Sequence, residues 1–334
     1  MAQHLSQLLS SPAKPLSLIA RALRLGLFLL MPVAVQAASC RPVAVDVFKE
    51  AGIRDAAGAT AKKQGSDKGQ DFRYGLLWKI EAPGVAPSYL FGTIHMSDPR
   101  ITTLPCPVKE VFDRSASYTM EVIFNGAGFD SMAEAMFFSD GKTLKEVLGE
   151  PLYQDTLRVA HASGMAQADS INTMKPWAVM VALSAPPAGL FLDMALQLDA
   201  TLQDKPTYGL ETMAEQIAVF NDMSLNDQVV LLRDAVQNYQ LTQNAMQELT
   251  RAYLQRDLGA LLSIDDKYKP QDARVYVTMM DRLLVQRNAN MAERMRTRLK
   301  EGNAFVAVGA LHLPGENGLL RLLSAAGYHV TRVY

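Results

Sequence analysis

Two stretches of this chain follow the same plan, and the repetition limits the folds open to it. Residues 304–308 (AFVAV) form an apolar run that passes into Gly309-Ala310-Leu311-His312. A loop with Pro314, a helical stretch over about 317–326 ending before Gly327, and a last strand over 328–334 follow. Residues 88–95 run likewise into Gly92-Thr93-Ile94-His95, then a proline-bearing loop, a proline-flanked helix over about 107–114, and a strand over 118–124. Strand, helix and strand in that order predict neighbouring parallel strands with a helix packed across them. Ligands in such sheets sit beyond the carboxyl ends of the strands, and both histidines fall there.

The remaining pattern fills in the sheet and its surroundings. Residues 76–81 and 88–95 read as a hairpin whose turn carries Pro83, Gly84 and Pro87. Residues 205–211 (KPTYGLE) form a short extended piece. Residues 130–200 and 212–300 carry Leu and Met at three- and four-residue spacings, the helical period. The expected fold is α/β (α+β): a mixed sheet built from two strand–G-x-x-H–helix–strand units, with a large helical middle region.

The N-terminus reads as an address. Lys14, Arg21 and Arg24 precede an apolar segment, Leu25 to Val35, too short to span a bilayer at the ~20 residues a helix needs. Val35 and Ala37 fit a signal-peptidase site, so 1–37 is expected to be a cleaved signal peptide, with the protein periplasmic or secreted and without a stable transmembrane anchor. Residues 38–71 form an exposed linker and 72–334 a single domain. After cleavage the two cysteines, Cys40 and Cys106, form an even pair in an oxidising compartment, where a disulfide is the economical expectation. A net charge of -1 without a dense Lys/Arg run excludes nucleic acid as a partner.

Chemistry has few candidate carriers. Of the histidines beyond the signal, His95 and His312 occupy equivalent places in the two units, while His161 and His329 have no evident partner. A glycine three residues before each lets backbone approach closely, and imidazole is the commonest neutral metal ligand. Glu121 stands in an apolar strand, where a charge is costly unless it is paired or ligating; a solvent-facing position remains the other reading. Glu211 ends the short extended piece, as a site carboxylate or as a charge at a helix start. Asp193 is a weaker candidate, and Arg287 is on a long helix. Gly141-Lys142-Thr143 is not a phosphate-binding loop, because Met136 stands where the first glycine belongs.

Four blocks carry a resemblance: Y-L-F-G-T-I-H at 89–95, Y-G-L-E-T-x-x-E-Q at 208–216, R-N-x-x-M at 287–291 and V-A-V-G-A-L-H-L-P-G-E at 306–316. Together they resemble the TraB/GumN family, related to the Tiki metalloproteases and, more distantly, to the erythromycin esterase and ChaN-like proteins. The resemblance implies a metal-dependent hydrolase, most plausibly a peptidase, with His95, His312, Glu121 and Glu211 as metal ligands. Glu121, Glu211 and Arg287 are the implied catalytic groups: a glutamate as general base, and Arg287 steadying an oxyanion. Asp193 matches an aspartate that usually follows glycine; Leu192 stands in that place here. Mixed nitrogen and oxygen ligands suit a divalent ion, Mn, Co or Zn. The substrate is a peptide or small molecule that the sequence does not name. The competing expectation is a non-enzymatic envelope accessory protein, associated with polysaccharide production or conjugation, that binds a ligand or haem in the same pocket.

Overall fold

A computed structural model of the chain describes residues 40–41, 72–165, 168–185, 189–269 and 271–334. The signal peptide expected over 1–37 and nearly all of the linker expected over 38–71 lie outside the described residues. Strands β1 (Leu77–Glu81) and β2 (Ser88–Thr93) form the expected antiparallel hairpin, with Leu77 opposite Phe91 and Ile80 opposite Ser88. Helix α1 (Cys106–Arg114) follows and presents Val108, Val111 and Phe112 to the sheet. Its first residue is disulfide-bonded to Cys40. Strand β3 (Ser117–Met120) comes next.

Beyond a helical region come α2 (Leu192–Leu202) and the short strand β4 (Thr207–Gly209). Then follow α3 (Met213–Asn221), a second run of helices and α4 (Gln286–Glu301). The chain closes with β5 (Ala304–Gly309), α5 (Leu319–Ala325) and β6 (His329–Arg332). The six strands form one mixed sheet in the order β4-β3-β5-β2-β1-β6. Only β1 runs against its neighbours; β5 pairs in parallel with both β2 and β3, and β3 in parallel with β4.

Two sequence expectations need correction. The strands of each repeated unit are parallel but not neighbours. β5 inserts between β2 and β3, and β2 and β1 separate β5 from β6. The physical reason is the composition of β5, whose Ala304 to Val308 are all buried, as in a central strand covered on both faces. The strand expected over 118–124 also ends early, at Met120, because the chain beyond it bonds elsewhere. The Glu121 carbonyl accepts from the Glu211 N–H at 2.7 Å, and the Phe124 backbone is bonded to the Gln197 side chain. Glu121 therefore stands just past a strand end.

The principal core lies around the sheet, where Phe112 packs edge-on against Phe305 (5.1 Å between centroids) and Tyr118 (5.6 Å). Leu144, Ile171, Val179 and Leu232 belong to a separate core within the helical region. Among the described residues no helix is long and apolar enough to cross a membrane. Thr143, in the stretch that mimics a phosphate loop, caps the helix Leu144–Leu148 through a capping box with Glu146.

Candidate functional site

Four adjacent strands, β4, β3, β5 and β2, end at the same edge of the sheet because they run in parallel. Each delivers one residue of interest just beyond its carboxyl end: Glu211 after β4, Glu121 after β3, His312 after β5 and His95 after β2. The register sets Thr93 opposite Gly309, so the two G-x-x-H segments leave the sheet side by side. Gly92 is needed for that packing. A Cβ there would lie 2.7 Å from Leu313 Cδ1 and 3.1 Å from Ala310 Cα, inside van der Waals contact. At Gly309 a Cβ would stand 3.3 Å from Glu121 Oε1 and 3.5 Å from His312 Cδ2. Glycine thus leaves the carboxylate and the imidazole room to approach.

Each histidine is backed by one polar partner. His312 is buried on a single helical turn (Ala310–His312), with its Nδ1 2.6 Å from Asn288 Oδ1. The Asn288 Nδ2 donates to the Asn317 carbonyl at 2.8 Å, which turns the amide oxygen toward the ring. An amide oxygen only accepts, so Nδ1 carries the ring proton and Nε2 presents a lone pair. That lone pair lies 3.6 Å from Glu121 Oε1. Burial first, then the positive charges of Arg287 and His95, lowers the imidazole to about 4 against the opposing pull of Glu121, so the ring is neutral at neutral pH.

His95 differs in exposure: its side chain is 60% accessible, and its Nε2 is 3.5 Å from Asp193 Oδ2. Asp193, in the first turn of α2, is buried and accepts from Thr93 Oγ1 at 2.6 Å. Its Oδ2 has no hydrogen-bond partner. Burial raises its carboxyl above the usual range, opposed by the His95 charge and the Thr93 bond.

The carboxylates are organised by Arg287. Its Nη2 donates to Glu121 Oε2 at 2.6 Å and to Glu211 Oε2 at 2.7 Å, and its Nε donates to both Glu211 oxygens at 3.0 and 3.1 Å. The remaining nitrogen, Nη1, reaches the Leu283 carbonyl. The Gln216 amide bridges Glu121 and Glu211 at 3.3 and 3.2 Å. Burial acts to raise the Glu121 carboxyl, but His312, Arg287 and the Gly309 N–H, which donates at 2.6 Å, outweigh it and hold the group at about 2. The Glu211 partnership raises Arg287 despite burial. A π turn at Asp281–Val285 immediately precedes α4, the kind of bulge that re-aims side chains near functional sites.

The sequence-derived candidates therefore gather at one edge, and Asp193, a weaker candidate in the sequence, stands beside His95 with Thr93 bonded to it. Arg287 faces two carboxylates. Asn288, Gln216 and Thr93 were not singled out by sequence reasoning, although all three lie inside the recognised blocks. His161 is exposed on the helix Glu150–Ala162, and His329 is on β6 with its Nδ1 3.3 Å from Glu81. Among the described residues, no three His, Cys, Asp or Glu side chains stand in metal-holding geometry.

The profile of the TraB/PrgY/gumN family matches residues 76–332. Metalloprotease TIKI2 of Xenopus tropicalis is 25% identical over 321 residues, which is 80% of this chain and 61% of the relative. Metalloprotease TIKI1 of Homo sapiens is 23% identical over 310 residues, 76% of this chain and 61% of the relative. A bacterial protein, the uncharacterized YbaP of Shigella flexneri, is 26% identical over 254 residues, 73% of this chain and 90% of YbaP. The chain thus spans less than two thirds of the length of these Tiki relatives. No solved structure matches it. The matched stretch contains every strand that builds the edge described above, and the chain belongs to the TraB/PrgY/gumN family.

Proposed function

We propose that this chain is an exported, metal-dependent hydrolase that acts on peptides. One observation carries the reading: His312 Nε2 and Glu121 Oε1 lie 3.6 Å apart while the Asn288 oxygen occupies Nδ1, an arrangement that assigns the ring proton to Nδ1 and sets two acceptors face to face. Two acceptors in that relation fit a shared cation. The partner behind each histidine supports the reading, since a metal-binding imidazole typically donates its other nitrogen's proton to a carboxylate or carbonyl. Asn288 serves His312 in this way and Asp193 is placed to serve His95.

His312, Glu121 and His95 are the residues that would hold the ion. Because no three of these side chains converge as they stand, ligation requires the exposed His95 ring to swing toward the other two. Glu211, engaged by Arg287 and Gln216, is assigned to fixing the guanidinium and, through it, the Glu121 carboxylate. A divalent ion so held would polarise a carbonyl and acidify a bound water. The names of the Tiki relatives, metalloproteases, agree with that chemistry. The cleft lined by His95, Glu121, Phe124, Asp193 and Gln216 is narrow, with a free volume of about 10 Å³. That is far below the ~300 Å³ at which pockets for drug-sized ligands begin, and it does not admit a macrocycle such as haem.

The test is peptide cleavage by the purified chain with manganese, cobalt or zinc supplied in turn. The expected result is cleavage abolished by a chelator, restored by the ion, and reduced at least about 100-fold in His312→Ala, the scale at which loss of ligand support acts. Cleavage indifferent to both chelator and His312→Ala contradicts the reading.

A further inference from the structure

One wall of the cleft is apolar, and its construction is specific. Met120, Val122 and Phe124 line the same space as His95, Glu121 and Asp193. Val122 and Leu192 are buried at 4% and 1%, yet Phe124 and Phe191, close by in sequence, remain partly exposed beside the charged groups. The Phe191 ring lies 5.0 Å from the His95 ring and meets Phe124 edge-on at 5.5 Å and 87°. Phe129 stacks on Phe124 at 6.1 Å.

Phe124 is held in place although it lies past the end of β3. Its N–H donates to Gln197 Oε1 at 2.9 Å, and its carbonyl accepts from Gln197 Nε2 at 2.8 Å, so one side chain mimics a strand partner. Gln197 is four residues after Asp193 on α2 and shares its helix face. The same face thus sets the Asp193 carboxylate beside His95 and fixes the aromatic wall next to it. Half-exposed aromatic rings on a clamped backbone gain by covering apolar surface, and their continuity with the charged edge fixes where the occupant would sit.

We infer that Phe124 and Phe191 form a specificity subsite that takes an aromatic or branched aliphatic side chain of a peptide, next to the bond to be cleaved. The inference rests on the hydrolase reading for its placement beside a scissile bond, but the preference itself is a matter of binding. Gln197 is the positioning residue for Phe124.

The experiment uses the full chain with zinc supplied and four fluorescein-labelled decapeptides on a Gly/Ser background, each carrying a central pair of Phe, Leu, Lys or Asp. Anisotropy reads binding, and mass spectrometry of the same mixtures reads cleavage. The Phe and Leu peptides are expected to bind about tenfold more tightly than the Lys and Asp peptides, the lower end of what an apolar pocket discriminates. Phe124→Ser and Phe191→Ser should each erase most of that advantage, whereas Phe124→Leu, which conserves the apolar wall and guards against a folding artefact, should keep it. A preference that persists without cleavage supports the subsite and overturns only the hydrolase reading. Equal binding of the four peptides, binding of none, or an unaltered preference in both serine variants overturns the inference.

Discussion

Arg287 is the residue on which the charge balance of the site turns. It is the cation bonded to both Glu121 and Glu211, and all three side chains are nearly buried. Arg287→Met would leave two buried carboxylates uncompensated, which typically costs about 3–5 kcal/mol. Chemical denaturation should show that loss, with Arg287→Lys intermediate because an ammonium keeps the charge but not the planar fork. The His312–Glu121 pair gives a pH signature. His312 ordinarily titrates near 6.5 but is held at about 4 in the fold. Between those values the unfolded chain takes up a proton that the folded chain refuses. Stability present above pH 6.5 should therefore fall by up to about 3 kcal/mol as pH drops toward 4. Glu121, ordinarily near 4.5 and held at about 2, adds a second loss below pH 4.5. Unfolding midpoints across pH 7 to 4 check this, and His312→Gln should flatten the upper window. The ionisable members of the site were legible because a charge beside an apolar run is conspicuous. Asn288, Gln216 and Gln197 were not. A neutral amide on a helix looks the same in sequence whether it faces solvent or fixes a neighbour's proton.

At the scale of elements, the repeated strand–G-x-x-H–helix–strand plan correctly placed both histidines beyond strand ends, since periodicity and glycine positions are local signals. Strand order is not local. That β5 would slot between β2 and β3 depends on pairings with residues far earlier in the chain, Tyr89 with Phe305 and Ser117 with Ala304, and only its all-apolar run hinted at a central place. The early end of β3 was hidden for a related reason: its backbone partners after Met120 come from Glu211 and Gln197, distant in sequence. The packing of the two units on each other gives a direct test. Gly92→Ala would force its methyl against Leu313 and Ala310 and should cost about 1–3 kcal/mol, the usual range for overpacking. A thermal melt reads it, and an unchanged midpoint would contradict the described contact. In the sheet's core, Phe305→Ala should be worse, about 3–5 kcal/mol, because Phe305 is fully buried against Phe91, Phe112 and Tyr118.

For the whole molecule, composition and cysteine count were informative where the helical middle was not. The pairing of Cys40 with Cys106 was expected from an even count in an exported chain, and the two are disulfide-bonded in the fold, anchoring residue 40 to the start of α1. Reduction, or Cys40→Ser with Cys106→Ser, should cost about 2–4 kcal/mol, visible as a lower melting temperature under reducing conditions. The proposed export would give this bond its meaning, since disulfides persist in oxidising compartments. The central claim, that the two G-x-x-H segments and Glu121 share a divalent ion, is tested most directly by equilibrium dialysis against zinc, manganese or cobalt, followed by elemental analysis. The wild-type chain is predicted to retain one ion per molecule, with His312→Ala and His95→Ala retaining far less while melting as folded proteins. No retained ion in the wild-type chain, or equal retention in all three, would contradict it.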